Sequence, residues 1–480
     1  MPQQLGRAIV VYLSFLCLML FPYRFSLCLA CFYAVGCANL PMPKAGEKDA
    51  NISIRGDYAS GRAAVPEMVS SLSGVFGGNA LRNQMELAQR KNPDLAEAAA
   101  VLEEAGFNTR SARAGLFPSV TGNGGARRSK SNSSGAGFNS GSFITEQYTA
   151  SLDAQWEVDV WGKIRAGVVA ADSTAEAAAA DYAAASQSIA AQTAQAYFDL
   201  VAATKLRDLA EERLASFQST IDLVERRFEL GTADFGEVSL AKTDAENARS
   251  EINAQKNARD QAARLLATLS GEYPDNNRAA SAWPSLKKSV AAGIPSTLLE
   301  VRPDIFAAYQ RILAADANVK VAHRDLFPSF TLTASGGQQS ATLSDLAKSN
   351  FTVWSVAAGL TAPIIDGGER RAELGAANAR AKQALASYRS TVLNAFREVE
   401  NALGSELYLK KQEDATASAL DAAKNAEERS LRNYESGLIE ILDVLEAKRR
   451  RFTAEETLIN LINARYQNRV TLALALGKAY

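Results

Sequence analysis

Two hydrophobic periods alternate along the chain. From Tyr148 to Val160, apolar and polar residues alternate without a break, which predicts a long β-strand with one apolar and one polar face. Two long alanine-rich stretches without proline, from Lys163 to Gly271 and from Gly367 to Tyr480, predict helix. In the first stretch, apolar residues are spaced alternately three and four apart, as in a coiled coil. These residues are Leu214, Phe217, Ile221, Val224 and Phe228.

Three further strands have weaker patterns. Apolar residues occupy alternate positions from Trp354 to Ile364 and from Phe330 to Ala334, whereas Val120 to Gly125 is glycine-rich and ambiguous. Residues 129–142, rich in Ser, Gly and Asn, and residues 340–350 are expected to be exposed hairpin loops. The expected strands lie at about 118–128, 146–161, 328–338 and 351–365.

The chain contains two copies of one sequence repeat. The Pro-Asp pair after Asn92 recurs after Arg302, and Leu-Phe-Pro-Ser at Leu116 recurs at Leu326, both 210 residues later. Farther along, the offset is 206 residues. At this offset Gly231, Val238, Lys242 and Gly271 correspond to Gly437, Val444, Lys448 and Gly477.

The repeat sets the domain organisation. We assign repeat 1 to residues 92–271, a polar, proline-containing linker to residues 272–301, and repeat 2 to residues 302–480. Helix breaks near Gly231 and Gly437 make each repeat a long antiparallel helical hairpin. The expected fold is therefore mainly α, with duplicated long hairpins and a small β part.

The first 36 residues are strongly apolar and carry Arg7 and Arg24 ahead of their apolar runs, as a secretory signal does. Each run is shorter than the roughly 20 residues that a membrane-spanning helix needs. We therefore expect a signal peptide at residues 1–36, with a transmembrane anchor as the alternative. A start at Met19 instead of Met1 would leave a signal of ordinary layout.

Small residues, Ala34 to Gly36, precede Cys37, as in a bacterial lipoprotein cleavage box. The usual leucine of that box is Ala34 here. Cys37 would otherwise be a free thiol in an oxidising compartment, so we expect it to carry a covalent lipid. Residues 37–91 are then a lipid-anchored N-terminal segment.

Composition excludes several functions. The 52 Lys and Arg against 53 Asp and Glu give a formal net charge of −1, which does not favour nucleic acid as a partner. All four cysteines lie within the first 37 residues and His323 is the single histidine, so the sequence predicts no His/Cys metal cluster. No phosphate-binding or dinucleotide-binding glycine motif is present. We expect no enzymatic activity, no metal and no cofactor apart from the lipid.

Only four strands are expected in this mostly helical chain, and they cannot form a closed sheet by themselves. An alternating strand suits a soluble sandwich as well as a membrane barrel. Four strands are too few to form either alone, and an open sheet in lipid would leave backbone groups unpaired at its edges. We therefore expect strands from several subunits to close one barrel.

The chain resembles the TolC-type outer-membrane factors, in particular the lipoprotein, NodT-like branch that serves tripartite efflux systems. The resemblance rests on the doubled Leu-Phe-Pro-Ser and on three stretches, and it covers nearly the whole mature chain in order. The stretches are Trp156 to Arg165, Leu298 to Ile305 and Tyr434 to Lys448.

The resemblance implies a homotrimer in the outer membrane of a Gram-negative bacterium, with a twelve-stranded barrel and a twelve-helix periplasmic tunnel. It implies a passive exit duct for small molecules, working with a periplasmic adaptor and an inner-membrane RND-type transporter. The alternatives are a type I secretion duct for polypeptides and a periplasmic coiled-coil adaptor without a pore. The strand from Tyr148 to Val160 argues against the second, because an adaptor needs no lipid-facing band. The sequence does not specify the substrate.

The resemblance also assigns site residues. The channel gate falls on Asp443 and Glu446, whose three copies would form acidic rings at the narrow end. Tyr434 matches a tyrosine that holds the family's gate, whereas the family's basic residue after the glycine is Ile439 here. From spacing alone, solvated charges on a helix face are the favoured explanation of the two acids, and only the resemblance assigns them to a gate. The expected adaptor contacts are the turns Leu230, Gly231, Thr232 and Ser436, Gly437, Leu438.

Overall fold

Long helices and a four-stranded sheet make up the part of the chain that the computed structural model describes. This part comprises residues 76–135, 138–280, 282–286 and 295–477. The predicted signal peptide and Cys37 lie outside the described residues. Among the described helices, none is long and apolar enough to cross a membrane.

The two halves of the chain have the same order of elements. In the first half, α1 spans Asn79–Lys91, α2 Pro93–Ala114, β1 Ser119–Gly135, β2 Phe138–Val158, α3 Lys163–Glu229 and α4 Phe235–Leu269. In the second half, α5 spans Leu298–Val301, α6 Pro303–Arg324, β3 Ser329–Ser340, β4 Thr352–Thr361, α7 Glu369–Glu435 and α8 Ile441–Ala475. Short 3₁₀ turns lie at Pro295–Thr297, Leu343–Asp345 and Ser349–Phe351.

The helices repeat in length as well as in order. Both α2 and α6 have 22 residues, α3 and α7 have 67, and α4 and α8 have 35. At about 1.5 Å per residue, the two longest helices each extend about 100 Å. Each repeat is therefore a long helical hairpin attached to a pair of strands.

A turn at Asp159 joins the sheet to the helical part. The Asp159 carboxylate accepts hydrogen bonds from the backbone N–H groups of Ile164 at 3.0 Å and Arg165 at 2.9 Å. It thereby satisfies donors that the first turn of α3 leaves free. Gly162, just before α3, has a φ of +79°, and a Cβ there would lie 3.0 Å from the guanidinium of Arg324. This position therefore favours glycine.

The strands form an antiparallel sheet in the order β1-β2-β3-β4. Its register puts most of the apolar residues on one face and most of the polar residues on the other, with Val353 and Ala357 as exceptions on the polar face. The residues of the apolar face include Leu152, Trp156, Leu332, Trp354 and Val356. The apolar face is exposed, as shown by Leu152 (64% exposed), Trp354 (78%) and Val356 (73%). The outer edges of β1 and β4 have no partner strand within the described chain. Both properties are those of a sheet that is one part of a lipid-facing barrel.

Residues 129–135 and 138–142 form paired strands, so the prediction of a loop there was wrong. β1 continues to Gly135 and β2 begins at Phe138, with Ser131 paired to Phe143. Ladder hydrogen bonds come from the backbone and do not require apolar side chains, which is why a Ser- and Asn-rich composition misled the prediction. β4 ends at Thr361, short of the predicted residue 365.

Of the four buried clusters in the described part of the chain, two join helices of both repeats around α3 and α8. The first, where α1, α3 and α8 meet, centres on Phe198, whose ring lies 4.9 Å from the rings of both Phe76 and Tyr466. The second lies near the hairpin turns and joins all four long helices. Its buried members include Phe217, Val224, Val238, Tyr434, Ile441, Val444 and Leu445. This second cluster positions the candidate gate.

Candidate channel gate at the hairpin tips

Both hairpins turn at a glycine in the left-handed conformation. Gly231 has a φ of +74° and Gly437 a φ of +76°, and open space surrounds the position of a Cβ at each. After them, the N–H of Thr232 donates to the carbonyl of Arg227 at 2.8 Å, and that of Leu438 donates to Asn433 at 2.9 Å. These are the hydrogen bonds of a glycine-terminated helix. Conformation alone therefore accounts for both glycines.

The turns expose apolar side chains. Leu230 is 78% exposed, Leu438 73% and Phe235 71%. Clustered apolar residues on a surface mark a contact with another protein more often than scattered ones do. The two predicted contact turns thus lie at the same end of the chain's paired hairpins and carry an exposed leucine each.

Tyr434 joins the two hairpins. It lies at the end of α7, is 2% exposed, and its hydroxyl donates to Glu237 Oε2 at 2.9 Å on α4. Burial and the hydrogen bond to Glu237 raise the pKa of the Tyr434 phenol to about 12. The phenol therefore stays protonated and remains a donor at physiological pH.

Arg227 provides a second contact between the hairpins. Its guanidinium lies 4.5 Å from the centre of the Tyr434 ring and donates to the Tyr434 carbonyl. Cation–π contact of this kind adds to the attraction. The family's basic residue is replaced by Ile439, and here a cation of the first hairpin contacts the tyrosine instead. The sequence had not indicated Arg227 or Glu237.

The charge of the Glu446 carboxylate is balanced by two arginines of the same chain. It pairs with Arg450 at 2.8 Å and Arg449 at 3.1 Å on the same helix. The hydrogen bond from Arg450 is the main reason that the pKa of Glu446 is lowered. Arg449 also pairs with Asp244 at 3.2 Å, which ties α8 to α4. The charge of Glu446 is therefore largely balanced.

Asp443 differs from Glu446 in forming no salt bridge with any described residue, although Arg450 lines the same groove. It lies in the first turn of α8, is exposed, and has no Lys or Arg within 4 Å among the described residues. Both acids open into one groove of about 570 Å³ between α7 and α8, whose α7 wall includes Ala422, Ala426 and Ser430. Of the two predicted gate acids, Asp443 is the one with an uncompensated charge.

The chain matches the family described as "Outer membrane efflux protein" over residues 85–272 and 294–478. The chain belongs to this family. Together the two matched segments cover most of the efflux protein, including the sheet, both hairpins and the candidate gate.

Curated relatives and a solved structure match over most of the efflux protein. It is 29% identical over 411 residues to the cation efflux system protein CusC of Escherichia coli O6:H1, covering 84% of this chain and 86% of that protein. It is 30% identical over 465 residues to the pyoverdine export outer membrane protein OpmQ of Pseudomonas aeruginosa, covering 94% and 96%. The structure of the outer-membrane channel OprN superposes with a TM-score of 0.83 at 26% identity, covering 92% and 98%.

These matches confirm the predicted family, fold and general function. The efflux protein is mainly helical and contributes four strands to a twelve-stranded barrel shared by three chains. It is an outer-membrane channel for efflux, and its family is one of transport channels.

Proposed function

We propose that this channel is a passive exit duct closed at its periplasmic end by the hairpin tips, with Tyr434 as a latch and Asp443 as the acidic residue of the gate. The observation that supports this most is the hydrogen bond from Tyr434 to Glu237, which joins hairpin 2 to hairpin 1 in one chain. An opening at the tips requires hairpins to separate. The contacts of Tyr434 oppose that movement.

The contacts of Tyr434 contribute enough free energy to keep the hairpins together, but little enough for another protein to separate them. A hydrogen bond to a charged acceptor contributes about 1.5–3 kcal/mol, and an exposed cation–π contact about 0.5–1 kcal/mol. Contact with another protein at the tips can supply this much free energy. Because the pKa of Tyr434 is about 12, a physiological change of pH does not release the latch by ionising the phenol.

The free carboxylate of Asp443 gives the gate its charge. Three copies around a narrow opening would attract cations and repel anions. Glu446 contributes less, because Arg449 and Arg450 balance it within the chain.

The partners are a periplasmic adaptor and an inner-membrane transporter. CusC is named as part of a cation efflux system, which supports a multi-protein pump for this chain too. The exposed Leu230 and Leu438, with the turns 230–232 and 436–438, are the surface that we assign to the adaptor. Gly231, Thr232, Ser436 and Gly437 hold these leucines in place.

The substrate is a small molecule whose identity is set outside the residues of the gate. CusC is named for cations and OpmQ for pyoverdine, yet this chain is 29% and 30% identical to them. Overall similarity therefore does not select either compound.

We also propose that Cys37 carries the lipid that anchors the mature N-terminus in the outer membrane. Cys37→Ser should abolish incorporation of labelled palmitate and the lipid mass of the N-terminal peptide, whereas Cys31→Ser should leave both unchanged. An unmodified Cys37 peptide from the wild-type channel would refute the anchor.

Conductance of single channels in planar bilayers tests the gate. Tyr434→Phe, which removes only the hydroxyl, should raise the open probability, whereas Tyr408→Phe, at a 63% exposed tyrosine of the same helix, should not. Asp443→Asn should shift the reversal potential in a salt gradient towards lower cation selectivity.

An unchanged open probability in Tyr434→Phe would remove the latch from the proposal. An unchanged reversal potential in Asp443→Asn would move the acidic gate elsewhere. If correctly folded trimers of the wild type and of all the variants show no conductance, the proposal of an exit duct is wrong.

A further inference from the structure

The β1–β2 pair projects beyond the rest of the sheet as a two-stranded ribbon. Pairing of β2 with β3 ends at Tyr148, opposite Ser340, whereas pairing of β2 with β1 continues to Phe138, opposite Gly135. At about 3.4 Å per residue, the ribbon extends roughly 30 Å past Tyr148. It leaves the barrel at the end opposite the helices, which is the outer surface of the membrane.

The apolar face of the sheet has the height of a membrane band, and Tyr148 ends it. Along this face of β2, the band runs from Val158 at the helical end to Tyr148, about 34 Å along the strand. A tilt of about 40° reduces this to about 25 Å, the usual height of the apolar band of an outer-membrane barrel. An aromatic residue at the end of the band is also typical. Tyr148 therefore lies at the outer interface.

The next two positions outward on the same face are basic. Tyr148 pairs with Ala126, and since side chains alternate, Arg128 and Lys130 follow on the lipid-facing side. Arg127 is on the opposite face, which continues that of the lumen. All three cations are exposed. The change from apolar to basic coincides with the change from hydrocarbon to headgroup.

These two cations are only partly balanced. Arg128 pairs with Glu146 at 3.1 Å, and 71% of the Arg128 side chain remains exposed. Lys130 has no carboxylate within 4 Å among the described residues, and its neighbour across the ribbon is Ile144. The outward face of the ribbon base therefore carries a net positive charge.

We propose that Arg128 and Lys130 bind the phosphate groups of lipopolysaccharide, on the phosphorylated diglucosamine headgroup of the outer leaflet, at three equivalent sites around the trimer. A guanidinium pairs with a phosphate through two parallel hydrogen bonds, and an ammonium adds a point charge. Glu146 is the residue directly across the ribbon from Arg128, and the salt bridge between them restricts the Arg128 side chain. The ribbons are thereby fixed against the membrane around the channel mouth. The inference rests on the barrel and its register and is independent of the gate and of the adaptor.

Binding of purified bisphosphorylated lipid A to detergent-solubilised trimers tests the proposal, with native mass spectrometry to count bound lipids and measure the Kd. Two cationic contacts at an anionic membrane surface contribute a factor of about 30 in affinity. The double substitution Arg128→Ser/Lys130→Ser should therefore weaken binding about 30-fold. Arg127→Ser removes one charge on the opposite face and is the matched control for the single substitution Arg128→Ser. Arg128→Ser should weaken binding about fivefold, whereas Arg127→Ser should change the Kd less than about twofold.

Two further probes identify the group that is bound. Dephosphorylated lipid A should bind wild-type trimers as weakly as bisphosphorylated lipid A binds the double variant. Phosphatidylglycerol should bind weakly and with the same Kd in both proteins. An equal loss of affinity in Arg127→Ser and Arg128→Ser would reduce the effect to overall charge and overturn the site. No loss in the double variant, or an equal loss for phosphatidylglycerol, would also contradict it.

Discussion

Arg302 donates a hydrogen bond from its guanidinium to the carbonyl oxygen of Ala475 at 2.8 Å. Asn92, its counterpart in the first repeat, donates from its amide to the carbonyl of Leu269 at 2.9 Å. Leu269 and Ala475 are themselves separated by the repeat offset of 206 residues. In both halves, the first residue of the repeat is therefore joined to the last turn of the repeat's closing helix, where a carbonyl lacks a partner within the helix.

Arg302→Ala is expected to destabilise the trimer more than Asn92→Ala. Arg302 also pairs with Asp304 at 2.7 Å and Glu398 at 2.9 Å, and only 10% of its side chain is exposed. Its loss removes hydrogen bonds to charged groups, each of about 1.5–3 kcal/mol. Asn92 caps the N-terminus of α2 by accepting from the backbone N–H groups of Asp94 and Leu95, and loss of such a cap costs about 1 kcal/mol. Thermal unfolding followed by circular dichroism measures the difference.

An exposed arginine provides the control for this comparison. Arg311 pairs with Asp181 but has 55% of its side chain exposed, so Arg311→Ala should change the free energy of unfolding by less than about 1 kcal/mol. Equal unfolding midpoints for Arg302→Ala and Arg311→Ala would show that the Arg302 contacts do not stabilise the fold.

Gly337 is required by the close approach of β2 and β3. A Cβ at Gly337 would lie 2.2 Å from the carbonyl oxygen of Ala150 and 2.6 Å from the Cα of Ser151. At the neighbouring Gly336, nothing lies within 4 Å of that position. Gly337→Ala should therefore weaken strand pairing by about 1–3 kcal/mol and reduce the yield of folded trimer, whereas Gly336→Ala should not. Trimer yield on native gels checks this, and equal yields would refute it.

The sequence predicted the helical part well because its signals are local. Glycine, proline and the spacing of apolar residues mark the hairpins, and the repeat offset fixes the equivalence of Gly231 and Gly437. The ribbon was missed because its strands pair through backbone hydrogen bonds. Its Ser- and Asn-rich sequence has no alternation of apolar and polar residues that would predict a strand. Arg227 was missed because its contact with Tyr434 joins residues 207 positions apart.

Glu237 is a different case, since the sequence held a signal for it. By the offset of 206 residues, Glu237 in repeat 1 is equivalent to Asp443 in repeat 2, and Phe228 is equivalent to Tyr434. Applying the offset to the gate acids would have identified the acid that accepts from Tyr434. The repeat was thus informative about the site as well as about the fold.

The same equivalence predicts a missing latch between subunits. Six hairpins alternate around a trimer, so the contact of Tyr434 with Glu237 inside one chain corresponds to a contact of Phe228 with Asp443 of the next chain. Phe228 has no hydroxyl, and Asp443 has no hydrogen-bonding partner for its carboxylate among the described residues of its own chain. Phe228→Tyr should add three hydrogen bonds per trimer and lower the open probability of single channels.

The acceptor can be removed to test this assignment. In an Asp443→Ala background, Phe228→Tyr should leave the open probability unchanged, because the new hydroxyl lacks its carboxylate. If Phe228→Tyr lowers the open probability equally in both backgrounds, the hydroxyl acts on some other group and the pairing with Asp443 is wrong.

Lys448 gives the channel a stability that depends on alkaline pH. It is 5% exposed, donates to Ser216 Oγ at 2.7 Å, and lies 3.8 Å from Glu427. Burial is the main reason that the pKa of Lys448 is lowered from 10.5, with Arg451 opposing the charge as well. Between the lowered pKa of the folded protein and 10.5, the unfolded chain binds more protons at this residue than the folded chain. The free-energy cost of burying the ammonium is therefore relieved as the pH rises through this window.

Lys448→Met removes this dependence while keeping most of the side-chain volume. The unfolding midpoint of the wild type relative to Lys448→Met should therefore rise as the pH increases through the lowered pKa of Lys448 towards 10.5. Lys242, the repeat counterpart, has 56% of its side chain exposed and pairs with Glu225 at 2.8 Å, so Lys242→Met should shift the midpoint only slightly. If the unfolding midpoints of the wild type and Lys448→Met change with pH in parallel, burial of the Lys448 ammonium does not destabilise the folded protein.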